Sequence, residues 1–344
     1  MAAERVLTER ELNRALLVRQ LFLKRARLSI PKALERVGGI QAQYAPSMYI
    51  GLWSRLEPFQ RDTLTRALER RSVVQATMMR ATIHLVSKAD FWPLLTAIRD
   101  ERLKWWERVH PASDPREMRA AANRLRRFLA DGARRRREVE ELLGRQAALG
   151  IGAYVDLVRA PPSGTWEQRR ADLYALAEDW VPCPRIERDQ ALDHLIRRYL
   201  TAFGPAAKKD IADWAMLSVS EVDRGLERIE LRRFRDETGK ELLDLPRAPI
   251  PDADAPAPPR FLPVWDATLL VHARRTGILP EEYRPLVFNV KTPQSVNTFL
   301  VDGRVAGTWR HEAGRVKLDP FEPVPRRVRS ELDEEAKRLA AFYA

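Results

Sequence analysis

Cysteine is nearly absent. The 344-residue chain has only Cys183, flanked by Pro182 and Pro184. A single thiol excludes an intramolecular disulfide and a cysteine-cluster metal site, and a reducing cytoplasm is the expected setting. With no motif around it, Cys183 reads as a structural or surface residue, not a nucleophile. No run of about eighteen uncharged apolar residues occurs, so no membrane-spanning helix is expected. The opening MAAERVLTERELNRALL carries charges throughout and lacks the apolar centre of a secretory signal. The five histidines, His84, His110, His194, His272 and His311, are scattered. None pairs at ligand spacing, so neither a metal nor another cofactor is expected. P-loop, dinucleotide-binding and nucleophile-elbow signatures are missing as well. Lysine is scarce too, with 10 lysines against 50 arginines.

What is present is positive charge in an uneven distribution. The net charge is +12. Abundant arginine beside alanine, leucine and proline fits a GC-rich genome, so abundance alone says little. Residues 1–120, however, carry 22 Lys and Arg against 13 Asp and Glu, whereas residues 121–344 carry 38 against 35. A basic third on a nearly neutral remainder points to a polyanionic partner, most often nucleic acid.

The periodicities predict a mainly α chain with small β elements. Thr8-Glu9-Arg10-Glu11 has the form of a capping box, followed by helical spacing of Leu12, Ala15, Leu16, Leu21 and Phe22. A second helix is predicted from Ile30-Pro31 to Val37, stopped by Gly38-Gly39. A third is expected over 40–56 and a fourth over 61–70. Then the period shortens: 73–79 and 81–86 read as two strands rich in β-branched residues. Helices followed by a hairpin make a winged-helix unit. The layout recurs. Helices over 89–131 and 135–149 precede short strands at 153–159 and 164–167, with a helix over 168–180. Helices at 189–202, 206–216 and 219–230 precede strands at 231–235 and 241–245. After the Pro- and Ala-rich stretch 246–260, strands are predicted at 261–264, 286–290, 296–301 and 304–309. Asp302-Gly303 is a hairpin turn signal, 316–318 is a further strand, and a final helix covers 325–342. The expected organisation is an α+β chain of tandem winged-helix units over 1–88, 89–186 and 187–246, plus a β-rich C-terminal region over 247–344.

One short segment stands out chemically. Gln41-Ala42-Gln43 follows Gly38-Gly39-Ile40, and residues two apart in an extended segment point the same way. Each amide offers an acceptor and a donor. Spacing alone favours a helix cap or a solvated surface pair.

The stretches GGIQAQYAPSMYIGLWSRL and MMRATIHLVS resemble the AlkZ-like DNA glycosylases, a family of winged-helix DNA-binding proteins. So do RAPPSGTWEQRRADLYALAEDW, YLTAFGPAAKKDIADWAML, FLPVWDATLLVHARR and VDGRVAGTWR, which span nearly the whole chain in family order. The resemblance implies a C-shaped clamp around duplex DNA, with Gln41 and Gln43 as the catalytic pair. Another branch of the family has Asp at the second position. Gln43 places this chain in the Gln-x-Gln branch, associated with bulky N7-alkyl adducts and interstrand crosslinks. It implies double-stranded DNA with an alkylated purine as substrate, acted on by a monomer without a lysine nucleophile.

The chemistry is coherent with such a pair. Alkylation at N7 of guanine makes the base cationic, so it departs neutral and needs little protonation. Positive charge gathers on the sugar, as in other glycosidic cleavages. Glutamine carbonyls can orient a water and stabilise that charge, yet cannot serve as bases at neutral pH. Around the pair, Arg80, Thr82 and His84 fall on one face if the first wing strand runs through Arg80. Charge and placement assign Arg80 to a phosphate, and His84 is either a DNA contact or a core residue. The resemblance assigns the hairpin with Arg304, Trp309 and Arg310 to DNA, with a structural Trp309 as the alternative. His272, Arg274 and Arg275 follow an apolar stem and are expected at the DNA face, with a solvated helix end as the alternative. A transcription regulator and a non-catalytic damage-binding protein are the competing functions. A regulator usually needs dimer symmetry, of which the sequence gives no sign.

Overall fold

In the computed structural model, which describes residues 5–270, 275–288 and 295–344, the first helix starts at its capping box. The Glu11 N–H donates to the Thr8 hydroxyl at 3.2 Å, and the Thr8 N–H donates to the Glu11 carboxylate at 2.9 Å. Two of the donors that a helix start leaves open are thereby satisfied. The first unit runs β1 (Val6–Leu7), α1 (Glu9–Arg19), α2 (Ile30–Val37), β2 (Ile40–Gln41), α3 (Ala45–Arg55), α4 (Arg61–Glu69), β3 (Val73–Thr77) and β4 (Ile83–Ser87). The helix expected over 40–56 therefore loses its first turn to a strand. Gly38 and Gly39 permit this, both at positive φ. A Cβ on Gly39 would stand 3.0 Å from the Val86 side chain and 3.1 Å from the Leu85 carbonyl. Glycine lets the chain leave α2 and lie directly against β4.

The second unit holds α5 (Lys88–Val109), α6 (Pro115–Leu129), β5 (Arg134–Arg135), α7 (Arg136–Leu143), α8 (Arg145–Gly150), β6 (Leu157–Arg159), β7 (Leu173–Leu176) and α9 (Ala177–Trp180). Gly144, at φ 81°, splits the helix expected over 135–149. The predicted strand at 164–167 and helix over 168–180 are replaced by β7 and the single turn α9. Pairing of β7 with both β6 and β5 overrides the local helical pattern. The first two units share one six-stranded sheet in the order β2-β4-β3-β6-β7-β5. The expected boundary at 88/89 thus separates consecutive elements but not sheets.

The third unit is α10 (Arg188–Phe203), α11 (Lys208–Ala215), α12 (Val219–Leu226), β8 (Arg232–Asp236) and β9 (Glu241–Asp244). β1 adds in parallel to β8, so the N-terminal strand belongs to the third wing. The C-terminal region contains β10 (Arg260–Leu262), α13 (Arg284–Val287), β11 (Thr298–Val301), β12 (Arg304–Glu312), β13 (Arg315–Pro320) and α14 (Arg326–Tyr343). Its sheet runs β10-β11-β12-β13. The strand expected over 286–290 is instead the turn α13 as far as Val287, and 289–290 lie outside the described residues. No described helix is long and apolar enough to cross a membrane.

One apolar core joins Ala76, Val86 and Val158 of the large sheet to α5 and α10. A second packs Leu34 of α2 and Tyr49 of α3 against Phe261, Phe299, Trp309 and Leu339 of the C-terminal region. Each such side chain contributes roughly 1.5–3 kcal/mol on burial. Buried ion pairs set how the units meet. Arg19 of α1 holds Asp244 of β9 at 2.8 Å, and Arg55 of α3 holds Asp266 in a two-pronged pair at 2.9 and 3.0 Å. Such pairs add little net stability, but breaking one leaves a buried charge.

Candidate functional site

Gln41 ends β2 and pairs in register with His84 of β4. Its side chain is buried, and its Oε1 accepts a bond from Arg80 Nη2 at 3.0 Å. Gln43 lies beyond the strand and is exposed, and its Oε1 accepts from the Ile83 N–H at 3.0 Å. Ile83 also takes the Ala42 N–H at 2.7 Å. The Gln43 amide therefore extends the β2–β4 ladder by one rung after the backbone has turned away. From the other side, the buried Gln75 donates to the Ala42 carbonyl at 3.5 Å. Both glutamines are oriented through their carbonyl oxygens. An amide oxygen has two lone pairs, so one remains on each.

Arg80 does not continue the strand. β3 stops at Thr77, and Arg80 sits in the hairpin turn Met79–Ala81 at φ 53° and ψ 26°. The left-handed conformation costs about 1 kcal/mol for a non-glycine residue. It turns the guanidinium inward to Gln41 instead of outward along a strand face. Burial lowers the Arg80 pKa to about 10, and its Nη1 has no partner. Among the described residues, no carboxylate pairs with Arg80, Gln41 or Gln43. The site is a cation and two amides.

His84 is buried behind them, with Nδ1 3.1 Å from the Thr82 carbonyl. Burial, reinforced by the Arg80 charge, lowers its pKa to about 3. The ring is neutral at physiological pH and out of reach of a phosphate, so the DNA-contact reading of His84 gives way to the core reading.

Sequence reasoning missed the rim beside Gln43. Arg169 donates to the Tyr44 hydroxyl at 3.2 Å and lies over the Trp166 ring at 5.8 Å. Trp166 meets Tyr343 edge-on at 5.1 Å, and His311 stacks on Tyr343 at 4.0 Å. The adjacency of Tyr44 to the glutamine pair and the GTWEQRR stretch were the available signals. No local pattern linked them to the last helix.

The C-terminal hairpin is oriented otherwise than expected. Its Asp302-Gly303 turn is docked on α1: the Gly303 carbonyl accepts from Asn13 at 2.8 Å, and Asp302 pairs with Arg14 and with Arg10. A Cβ on Gly303 would stand 2.5 Å from Leu17. Arg304 lies there too, 3.6 Å from Glu9. Trp309 is 3% exposed and its indole N–H donates to the Leu262 carbonyl at 3.0 Å. Trp309 is a core residue and offers no face to DNA, which corrects its assignment. Arg310 is exposed and pairs with Asp319 and, at 3.6 Å, with Glu312. Six residues of strand, about 20 Å, separate Arg310 from Arg304, so the two do not act together. The β12–β13 turn at Ala313-Gly314 is the open one, with nothing within 4 Å of a Cβ on Gly314. His272 and Arg274 lie outside the described residues. Arg275 opens the short turn Arg275–Gly277.

A family model described as DNA glycosylase AlkZ-like matches residues 34–342. Among solved structures, Streptomyces sahachiroi DNA glycosylase AlkZ matches with a TM-score of 0.81 at 20% identity, over 98% of this chain and 97% of its own. At that identity the likeness speaks for the fold. No curated protein matches the chain.

Proposed function

The chain belongs to the AlkZ-like DNA glycosylase family, and from that premise we propose that it excises N7-alkylated purines with a water held between Gln41 and Gln43. The observation that carries this reading is the pair of amide oxygens fixed by Arg80 and Ile83, with no carboxylate among the described residues paired to either glutamine. Water attacks C1′ of the damaged nucleotide as the bond to N9 breaks. The bonding electrons flow into the purine and cancel its N7-alkyl charge, and the proton of the water passes to solvent. The free lone pairs of Gln41 and Gln43 orient the water and face the positive charge that grows on the sugar. Preorganised dipoles of this kind act without reorganising during the reaction. Without a strong acid or base, the site favours bases already primed to leave.

Arg80 serves this site with both ends of its fork. Its Nη2 holds Gln41, and its unpartnered Nη1 is available to a phosphate. The exposed Arg169 and Arg310 supply further phosphate contacts on the rim. Three winged-helix units, over 1–88, 89–186 and 187–246, form with the region 247–344 a clamp in which a single chain suffices. A shallow site at the duplex surface accepts bulky adducts and crosslinked strands, which a deep pocket excludes.

The test is a duplex with one N7-methylguanine, treated with alkali after incubation and compared with the Gln41→Ala/Gln43→Ala variant. Strand breaks at the lesion with wild type alone are expected. Equal breaks with the double variant would remove the glutamines from the chemistry. Tight duplex binding without breaks from either protein, on this lesion and on bulkier N7 adducts, would overturn the substrate assignment.

A further inference from the structure

Away from the glutamines, α5, the turn after α8 and the ends of β3 and β6 enclose a cavity of about 280 Å³. Its walls include Trp105, Trp106, Tyr174, Arg102, Arg159 and Gly152. That size is near the lower end for small-molecule sites, which pair apolar walls with a few fixed polar groups.

The two buried guanidinium groups differ. Arg102 has a counter-charge: it donates to the Thr77 carbonyl at 2.8 Å and pairs with Asp156 at 3.2 Å, although its Nε, like that of Arg159, has no partner. Arg159 is nine-tenths buried and has no carboxylate partner among the described residues. It donates to the Thr77 hydroxyl at 3.1 Å, lies over the Tyr174 ring at 4.2 Å, and leaves its Nε without a partner. The Trp106 indole N–H, on the same cavity, is also unpartnered. A buried cation without a counter-charge is costly. An arginine already stacked on an aromatic ring presents its donor fork to an incoming anion.

The glycines support an open chamber. A Cβ on Gly150 would stand 2.1 Å from the Trp106 ring, so glycine is needed for the indole to come this close to the backbone. A Cβ on Gly152 would meet nothing within 4 Å. The void there is not occupied by packing.

We propose that this cavity binds a small aromatic acid, its ring between the tryptophans and Tyr174 and its anionic group on Arg159. The proposal does not rest on the glycosylase reading: neither glutamine lines the cavity, whose wall reaches the turn of the first wing at Ala81.

The probe is 1-anilinonaphthalene-8-sulfonate, with N-phenyl-1-naphthylamine as the same ring system without the sulfonate. Fluorescence titration of wild type is expected to show one saturable site preferring the sulfonate by about tenfold, the worth of one charge-assisted bond. Gly152→Leu, which adds a side chain to open space, should abolish binding of both probes. Arg159→Met should retain the uncharged probe and lose the preference. Urea unfolding of each variant identifies any that fails to fold. Undiminished sulfonate binding by folded Gly152→Leu would overturn the proposal. So would a wild type that does not bind the sulfonate or does not prefer it.

Discussion

Arg80, in the turn of the first wing, donates to the side-chain oxygen of Gln41 on the neighbouring strand at 3.0 Å. With the Ile83–Gln43 bond, it ties the hairpin of the first wing to both members of the proposed catalytic pair.

If Arg80 Nη1 takes a phosphate on binding while Nη2 holds Gln41, Arg80→Met loses one phosphate contact. The log–log salt dependence of duplex affinity should then be shallower by about 0.9. Excision under single-turnover conditions should fall as well. An unchanged salt slope with reduced excision would confine Arg80 to Gln41.

His84 should make the protein acid-sensitive. Its folded pKa of about 3 lies below the ordinary 6.5, so the unfolded chain binds the extra proton between those values. The stability from keeping the ring neutral is complete above pH 6.5 and is lost as pH falls toward 3, by up to about 1.4 kcal/mol per unit. Urea unfolding between pH 7 and 4.5 should show a steeper decline for wild type than for His84→Gln. Parallel declines would remove His84 as the cause.

Breaking the Arg55–Asp266 pair by Asp266→Ala leaves a guanidinium buried between α3 and the C-terminal region. A loss of about 3–5 kcal/mol is expected, read from urea unfolding. Asp266→Asn, which keeps one acceptor for Arg55, should lose less. A loss below about 1 kcal/mol would mean that water reaches the pair.

Gln75 separates stability from positioning. Its Oε1 is buried without a partner while its amide supports the Ala42 carbonyl. Gln75→Met removes one unsatisfied oxygen but takes a donor from the buried Ala42 carbonyl, two effects on stability that oppose each other. It also removes a brace from the backbone between the two glutamines. We expect an unchanged urea midpoint and duplex affinity with about tenfold slower excision, since small displacements of reacting groups are expensive. Full excision would show that Ile83 alone suffices.

Much of this was legible locally. The Thr8–Glu11 box, the Gly38-Gly39 stop and the Asp302-Gly303 turn each act within a few residues, where backbone geometry and capping dominate. The same holds for the alternation that marks the first wing. The family resemblance singles out Gln41 and Gln43 on the sequence alone. The segment over 168–180 shows the limit of local reading, because its helical spacing yields to strand partners supplied by β5 and β6.

What the amino-acid sequence determined by itself is the alphabet of the site: two amides, an arginine at a hairpin, and no metal-binding cluster in its motifs. The tertiary structure decided their roles. It turned Arg80 onto Gln41, buried His84 and Trp309, and docked the Asp302-Gly303 turn on α1. It also carried Tyr343 and His311 to the rim beside Tyr44. These outcomes depend on contacts between residues far apart in the chain. Burial and pairing set a side chain's charge and direction, and no local window contains the partners that set them.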